Sequence, residues 1–298
     1  RGAALEGSDS AFALEAFEKG NHAKAVRALA DHIGSDQAPP RVLYAYARSR
    51  AQVPLANHQH LAQALAVYEK LEARSPGHQD TRERLLKLYL KTQQYKPALG
   101  VAEKILRVDA GNIEALRGKA ISLHELSRPE PAIRAARRVL KARPRDLTMH
   151  LLVFEVRRAR GETDALPERA KALRAKHPDS ARFALLQAYA HGAAEQREPY
   201  EKWLRRAASR VKAEPDVAEK LLMFLDRAGL YGPAARMLGR IGPKLESPAM
   251  RHEAARRLLE NGRPRAAADV LASLDAKQAA ATMTALKAIA LYRLNQRD

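Results

Sequence analysis

The hydrophobic positions of this chain recur in a pattern with two periods, one inside the other. Gln93 to Asn112 reads "QQYKPALGVAEKILRVDAGN", and Ser127 to Asp146 reads "SRPEPAIRAARRVLKARPRD", with small and large residues in matching slots 34 positions apart. Within each copy the apolar positions step by four and then three, which places them on one stripe of an α-helix. Ala64, Ala98, Ala132 and Leu166 share the first slot, Tyr68, Ala102, Ala136 and Ala170 the second, and Leu71, Ile105, Val139 and Leu173 the third. Pro76, Ala110, Pro144 and Pro178 follow in turn phrases such as "RSPGHQD" and "ARPRDLT". Proline cannot continue a helix interior and marks its end.

A second marker precedes each of these helices. Gly20, Gly161, Gly229 and Gly262 stand five residues before Ala25, Leu166, Ala234 and Ala267, and Gln93 and Ser127 occupy that slot in the middle repeats. A glycine there suits the left-handed residue that closes one helix before another begins. The unit is therefore helix, tight turn, helix, turn, and it predicts an all-α protein.

The pattern resembles the tetratricopeptide repeat, a 34-residue helix–turn–helix unit. The resemblance is clearest over 53–178 and extends in looser form over nearly all of the chain. It implies a right-handed α-solenoid, a superhelix formed by one array spanning 1–298, with about seven repeats and a final helix at roughly 277–293. Lys119 and His150 depart from the family by standing where apolar residues are usual in the first helix. "AQVPLANHQH", Ala51 to His60, reads as an insertion between the two helices of one repeat. Ala190 to Trp203 reads as a lengthening of another, because Pro215 lies 37 rather than 34 after Pro178. A start at Arg1 and an unpaired last helix suggest a piece of a longer protein.

Composition sharpens this reading. The 298 residues are 46% hydrophobic but only 5% aromatic, a mix that favours close-packed helices over sheets. The formal net charge is +19, split as +9 over residues 1–150 and +10 over the remainder, so the excess is not a tail. A surface of this sign attracts acidic partners and polyanions. The chain has no cysteine, which excludes disulfides, thiolate metal sites and cysteine nucleophiles and leaves cytoplasm and periplasm equally open. No apolar run approaches the roughly 20 residues needed to span a bilayer.

The sequence has no glycine-rich phosphate loop, no Gly-x-Ser-x-Gly elbow and no His-Glu-x-x-His helix, and the chain is expected not to be an enzyme and to need no cofactor. His58 and His60 form a His-x-His pair without a nearby carboxylate and read as loop histidines. His124 and Glu125, adjacent on a helix, diverge by about 100° and cannot act on one atom. Trp203, the single tryptophan, reads as a packing residue beside Tyr200 and Leu204.

The family resemblance also implies where a partner binds. First helices line a concave groove, and the family's groove positions fall on Asp80, Glu83, Lys87, Leu90 and Lys91, then on Glu114, Arg117, Ile121, His124 and Glu125, then on Thr148, Leu151, Glu155, Arg158 and Ala159. The lysine–asparagine pair with which some members grip a carboxyl terminus is replaced by Glu83/Lys87 and Arg117/Ile121. The expected function is a protein-interaction scaffold holding an acidic partner segment through Lys87, Lys91, Arg117, His124 and Arg158. An alternative is a basic stripe of Arg134, Arg137, Arg138 and Lys141 on a second helix, on the convex side, taking a polyanion such as nucleic acid or polysaccharide. That arrangement would suit a periplasmic part of an exopolysaccharide export system. Smaller basic groups stand at Arg205, Arg206, Arg210 and Lys212, and at Arg256, Arg257, Arg263 and Arg265. A third reading is the regulatory arm of a larger enzyme.

Overall fold

A computed structural model describes residues 8–35, 37–55, 57, 59–212, 215–245, 248–272, 288–292 and 294. Their regular structure is entirely helical: α1 Ser8–Glu18, α2 His22–Leu29, α3 Pro40–Arg50, α4 Gln59–Arg74, α5 Gln79–Lys91, α6 Tyr95–Val108, α7 Ile113–Glu125, α8 Pro129–Ala142, α9 Leu147–Ala159, α10 Leu166–Ala175, α11 Ala181–Ala193, α12 Arg197–Arg210, α13 Pro215–Arg227, α14 Tyr231–Ile241, α15 Pro248–Glu260 and α16 Pro264–Ala272. The expected final helix at 277–293 falls largely outside the described residues; those described within it, 288–292, are helical. The chain divides into two compact units, 1–152 and 153–298.

The turn inside every helix pair except α3/α4 is built by one device. Gln93 and Ser127 adopt φ of 58° and 57°, and Gly20, Gly161, Gly229 and Gly262 adopt 67–75°. Each turn carries a backbone hydrogen bond spanning five residues, such as Gln94 N to Tyr89 O at 2.8 Å, Arg128 N to Leu123 O at 2.8 Å and Arg263 N to Leu258 O at 2.8 Å. A left-handed residue with this bond is the Schellman closure, which satisfies carbonyls that a helix end would otherwise orphan.

Glu195 occupies the same conformation, with φ of 59°, and Gln196 N reaches His191 O at 2.9 Å. This corrects the expected lengthening at Ala190–Trp203. The left-handed slots run 93, 127, 161, 195 and 229, each 34 apart, so the register is intact. Pro215 begins α13 and does not close the preceding unit. The insertion after α3 is real but shorter than expected, because α4 already starts at Gln59.

The small-residue slots do what the pattern required of them. Ala25, Ala64, Ala98, Ala132, Ala170 and Ala267 are fully buried, and Tyr68, Ile105 and Val139 are at most 2% exposed. Close approach also needs Gly118 on α7: a Cβ there would lie 2.8 Å from Leu86 Cδ1 on α5. The core of the first unit is thus a continuous strip of Leu, Ala, Val and Tyr shared by successive helices. Burial of this kind contributes roughly 25 cal/mol per Å² of apolar surface, which is why each pair needs its neighbours.

Between units of the repeat, aspartates at helix starts do double work. Asp146 caps α9 by accepting from Met149 N at 3.1 Å through Oδ1, and its Oδ2 accepts from Arg117 Nε of α7 at 3.1 Å. Asp216 at the start of α13 takes Arg182 of α11 in a two-point contact at 2.6 and 3.3 Å. His150, out of place as a polar residue in sequence, is buried and bonds through Nε2 to the Pro144 carbonyl at 2.8 Å. Burial lowers its pKa, against a smaller opposing pull from that carbonyl and from Asp146.

Candidate functional site

The first-helix face of the first unit carries a small cleft of about 150 Å³. Its wall is Arg48 at the end of α3, Leu61 and Tyr68 of α4, and Arg84, Lys87, Leu88 and Lys91 of α5, with Ala51 and Gln52 closing one end. Arg84, Lys87 and Lys91 meet there because offsets of three and four superpose on one helical face. Four cations therefore border the cleft, and no carboxylate does. Asp80 is near but committed: it accepts from the Tyr44 hydroxyl and sits 3.5 Å from Arg84 Nε.

Tyr68 is the unusual member. Its side chain is 1% exposed, yet its hydroxyl is buried with no hydrogen-bond partner. A buried hydroxyl without a partner costs on the order of 1–3 kcal/mol, so such groups are rare and informative. Burial, followed by the neighbouring Tyr44, pushes its pKa well above the ordinary tyrosine value, so the group is a neutral O–H able to donate. The cleft thus brings a neutral donor and four cations together around a space for a few non-hydrogen atoms.

The residues expected from sequence separate into three groups. Lys87 and Lys91 are exposed and line this cleft, and Arg48, Arg84 and Tyr68 join them without having been singled out for it. Arg117 is half-buried and engaged by Asp146 and, through Nη2, by Thr148 Oγ1 at 3.0 Å. His124 is half-buried on α7 and outside the cleft lining.

Arg158 belongs to the second unit. It lines a larger cleft of about 660 Å³ with Glu155, Tyr189, Arg197, Tyr200, Met223, Phe224 and Arg227. Tyr189 and Phe224 pack edge to face at 6.0 Å, and Gly192 leaves room for the Tyr200 ring, which a Cβ would approach to 3.1 Å. This lining is mixed in charge and includes three aromatic rings.

The expected basic stripe stands as a solvated face of α8: Arg134, Arg137, Arg138 and Lys141 are all exposed, and Arg138 is tied to the Ala110 carbonyl at 2.6 Å. Trp203 is held between two guanidiniums, Arg174 at 4.5 Å and Arg206 at 5.1 Å from the ring centre, a cation–π pair that accounts for it as a packing residue. His60 is buried and accepts from Leu55 N at 3.2 Å, holding the inserted loop; His58 lies outside the described residues. Among the described residues no three His, Asp or Glu are placed to hold a metal, and no helix is long and apolar enough to cross a membrane.

No protein-family model matches the chain, and no curated protein sequence does. Solved structures do. A tetratricopeptide repeat protein from Parabacteroides merdae ATCC 43184 superposes over 96% of this chain and 100% of its own, at 13% identity and a TM-score of 0.58. The chain folds as a tetratricopeptide-type repeat array. MamA is similar over 51% of this chain and 89% of its own, at 18% identity and a TM-score of 0.42. YrrB, described as a tetratricopeptide protein with an unusual peptide-binding site, is similar over 64% of this chain and 95% of its own, at 20% identity and a TM-score of 0.44. Within the tetratricopeptide framework, Arg84, Lys87 and Lys91 stand on a first helix and Tyr68 on the second helix before it.

Proposed function

We propose that this array is a non-catalytic scaffold that holds an acidic segment of a partner protein, with a carboxylate seated in the cleft between α3, α4 and α5. The observation that carries the reading is the Tyr68 hydroxyl, buried and unpartnered, beside Arg48, Arg84, Lys87 and Lys91 with no carboxylate in the lining. A carboxylate supplies what that lining lacks: an acceptor for the hydroxyl and a counter-charge for the cations. Charge-assisted hydrogen bonds of this kind are about twice as strong as neutral ones. The repeat fold supports the scaffold reading because it offers long helical faces with little enclosed volume, which suits holding a chain more than surrounding a transition state.

The test is selection of a displayed random peptide library on the wild-type protein, followed by binding of the enriched peptides to the K87E/K91E and Y68F variants. Acidic residues should be enriched. The double reversal should weaken binding by more than about tenfold and Tyr68→Phe by a few-fold, in line with loss of charge-assisted and neutral hydrogen bonds respectively. Peptides without acidic bias, or peptides that bind K87E/K91E as well as wild type, would refute the anchor.

A further inference from the structure

The second unit carries another concentration of positive charge, on second helices rather than first. Arg205 of α12, Arg236 and Arg240 of α14, and Arg263 just before α16 border a cleft of about 590 Å³. Arg236 and Arg240 are four apart and share a helical face. Helices α12 and α14 and the turn before α16 thus deliver four guanidiniums to one place, and the remaining lining is Ala208, Ser209, Pro233, Met237, Gly239 and Ala266. It contains no carboxylate and no aromatic ring.

The arginines divide by how they are held. Arg205 is braced by Glu201 at 2.9 Å, and Arg240 by the Ala208 carbonyl, so both are fixed with N–H groups to spare. Arg236 and Arg263 are exposed and form no side-chain hydrogen bond or ion pair among the described residues. Neighbouring arginines differ: Arg210 is spent on Asp179 and the Pro178 carbonyl, and Arg206 on Trp203. Two cations without a side-chain partner, Arg236 and Arg263, therefore stand together at the cleft.

Its floor adds a second observation. Gly239 lies inside α14, where glycine costs roughly 1 kcal/mol relative to alanine. Packing does not require it: a Cβ there would meet Ala266 Cβ at 3.5 Å and Leu258 Cδ2 at 3.8 Å, ordinary contacts. Gly239 is part of the cleft lining, so a Cβ there would take up space at the cleft.

We infer that this cleft is a site for a soluble ligand carrying several closely spaced phosphate groups. Guanidinium matches a phosphate oxygen pair at two points, and it keeps its charge at any physiological pH. Four such groups in so small a space exceed what one phosphate satisfies, and a run of linked phosphates packs the needed negative charge most densely. Nucleic acid is disfavoured because bases normally stack on aromatic side chains, and this lining has none. The site is separate from the carboxylate anchor and does not depend on it.

Titration calorimetry with sodium tripolyphosphate tests the inference, with orthophosphate, hexaglutamate and an oligodeoxythymidylate as comparators. Saturable one-to-one binding of tripolyphosphate, tighter than all three comparators, is expected. The R236Q/R263Q variant should lose about tenfold or more of that affinity with unchanged circular dichroism, because neither side chain braces the fold. Gly239→Ala should weaken binding several-fold while melting no lower than wild type, a combination that a merely basic surface would not produce. R134Q/R137Q, on the exposed face of α8, should change affinity less than about twofold, the scale of screened surface charge. Absence of saturable binding, equal binding of orthophosphate, hexaglutamate or the oligonucleotide, or equal loss in R134Q/R137Q would overturn the site.

Discussion

Helices α5 and α7 are adjacent copies of one element, and each carries cations among the positions expected from the repeat to line a groove. Their fates differ. Lys87 and Lys91 of α5 remain exposed at a cleft without carboxylates, whereas Arg117 of α7 is taken up by Asp146 and Thr148. The decisive residue stands 29 positions from Arg117, at the start of α9. A repeat position thus gives a side chain its address, and the next repeat decides whether that side chain is available. The same bookkeeping applies at Asp216, which absorbs Arg182.

The largest effect expected from breaking this contrast is on stability. Arg117→Met should lower the unfolding free energy by about 1–2 kcal/mol, since it leaves Asp146, whose side chain is 10% exposed, without its cation. K87E/K91E should stay within about 0.5 kcal/mol of wild type, as surface substitutions do. Urea denaturation of both variants measures the difference; equal destabilisation would show that Lys87 and Lys91 are structural too.

A pH titration sharpens the contrast at intermediate size. Because burial holds the His150 pKa below its ordinary 6.5, the unfolded chain binds its proton first as pH falls. Its contribution to stability is present above about pH 6.5 and is lost as pH drops towards the lowered value. His22, lowered by burial and by Arg48, acts in the same direction. Between pH 7 and 5.5 the melting temperature should fall, and His150→Gln should flatten that slope; an unchanged slope would place the acid sensitivity elsewhere.

The smallest effect concerns the turns. Glycine at Gln93, Ser127 or Glu195 relieves a left-handed strain of roughly 1 kcal/mol and adds some unfolded-state entropy, for a net gain near 0.5 kcal/mol each. Thermal melts of the three single variants and of the triple variant read this directly. A loss of stability in all four would mean that side-chain contacts hold these turns.

Much of this architecture is legible in the amino-acid order, because helical period, turn residues and small-residue slots are local. Spacing alone places Gln93 and Ser127 in the glycine slot. Glu195 is not legible in this way, since a glutamate carries no turn signal and Pro215 points to a false lengthening. The candidate site was only half legible. Lys87 and Lys91 follow from the repeat, but Tyr68 reads as a filler of the bulky slot, and nothing local reveals that its hydroxyl lacks a partner. Arg84 could have been found as the residue one turn before Lys87. The pairing of Arg117 could not, because Asp146 reaches it through space from a different helix. The gathering of Arg205, Arg236, Arg240 and Arg263 is hidden for the same reason: its members come from two helices and the turn before a third.

The left-handed closures have a consequence for how such a gene can change. Each is made by backbone atoms and tolerates Gly, Gln, Ser or Glu at its centre. Unequal crossing-over between two of the closures at 93, 127, 161, 195 and 229, which lie 34 codons or a multiple apart, removes or duplicates whole helix pairs and leaves the hydrogen bonds at every seam as they were. The joints are interchangeable; the ion pairs that reach from one helix pair to the next, Arg117 to Asp146 among them, are the features that give each copy its place in the series.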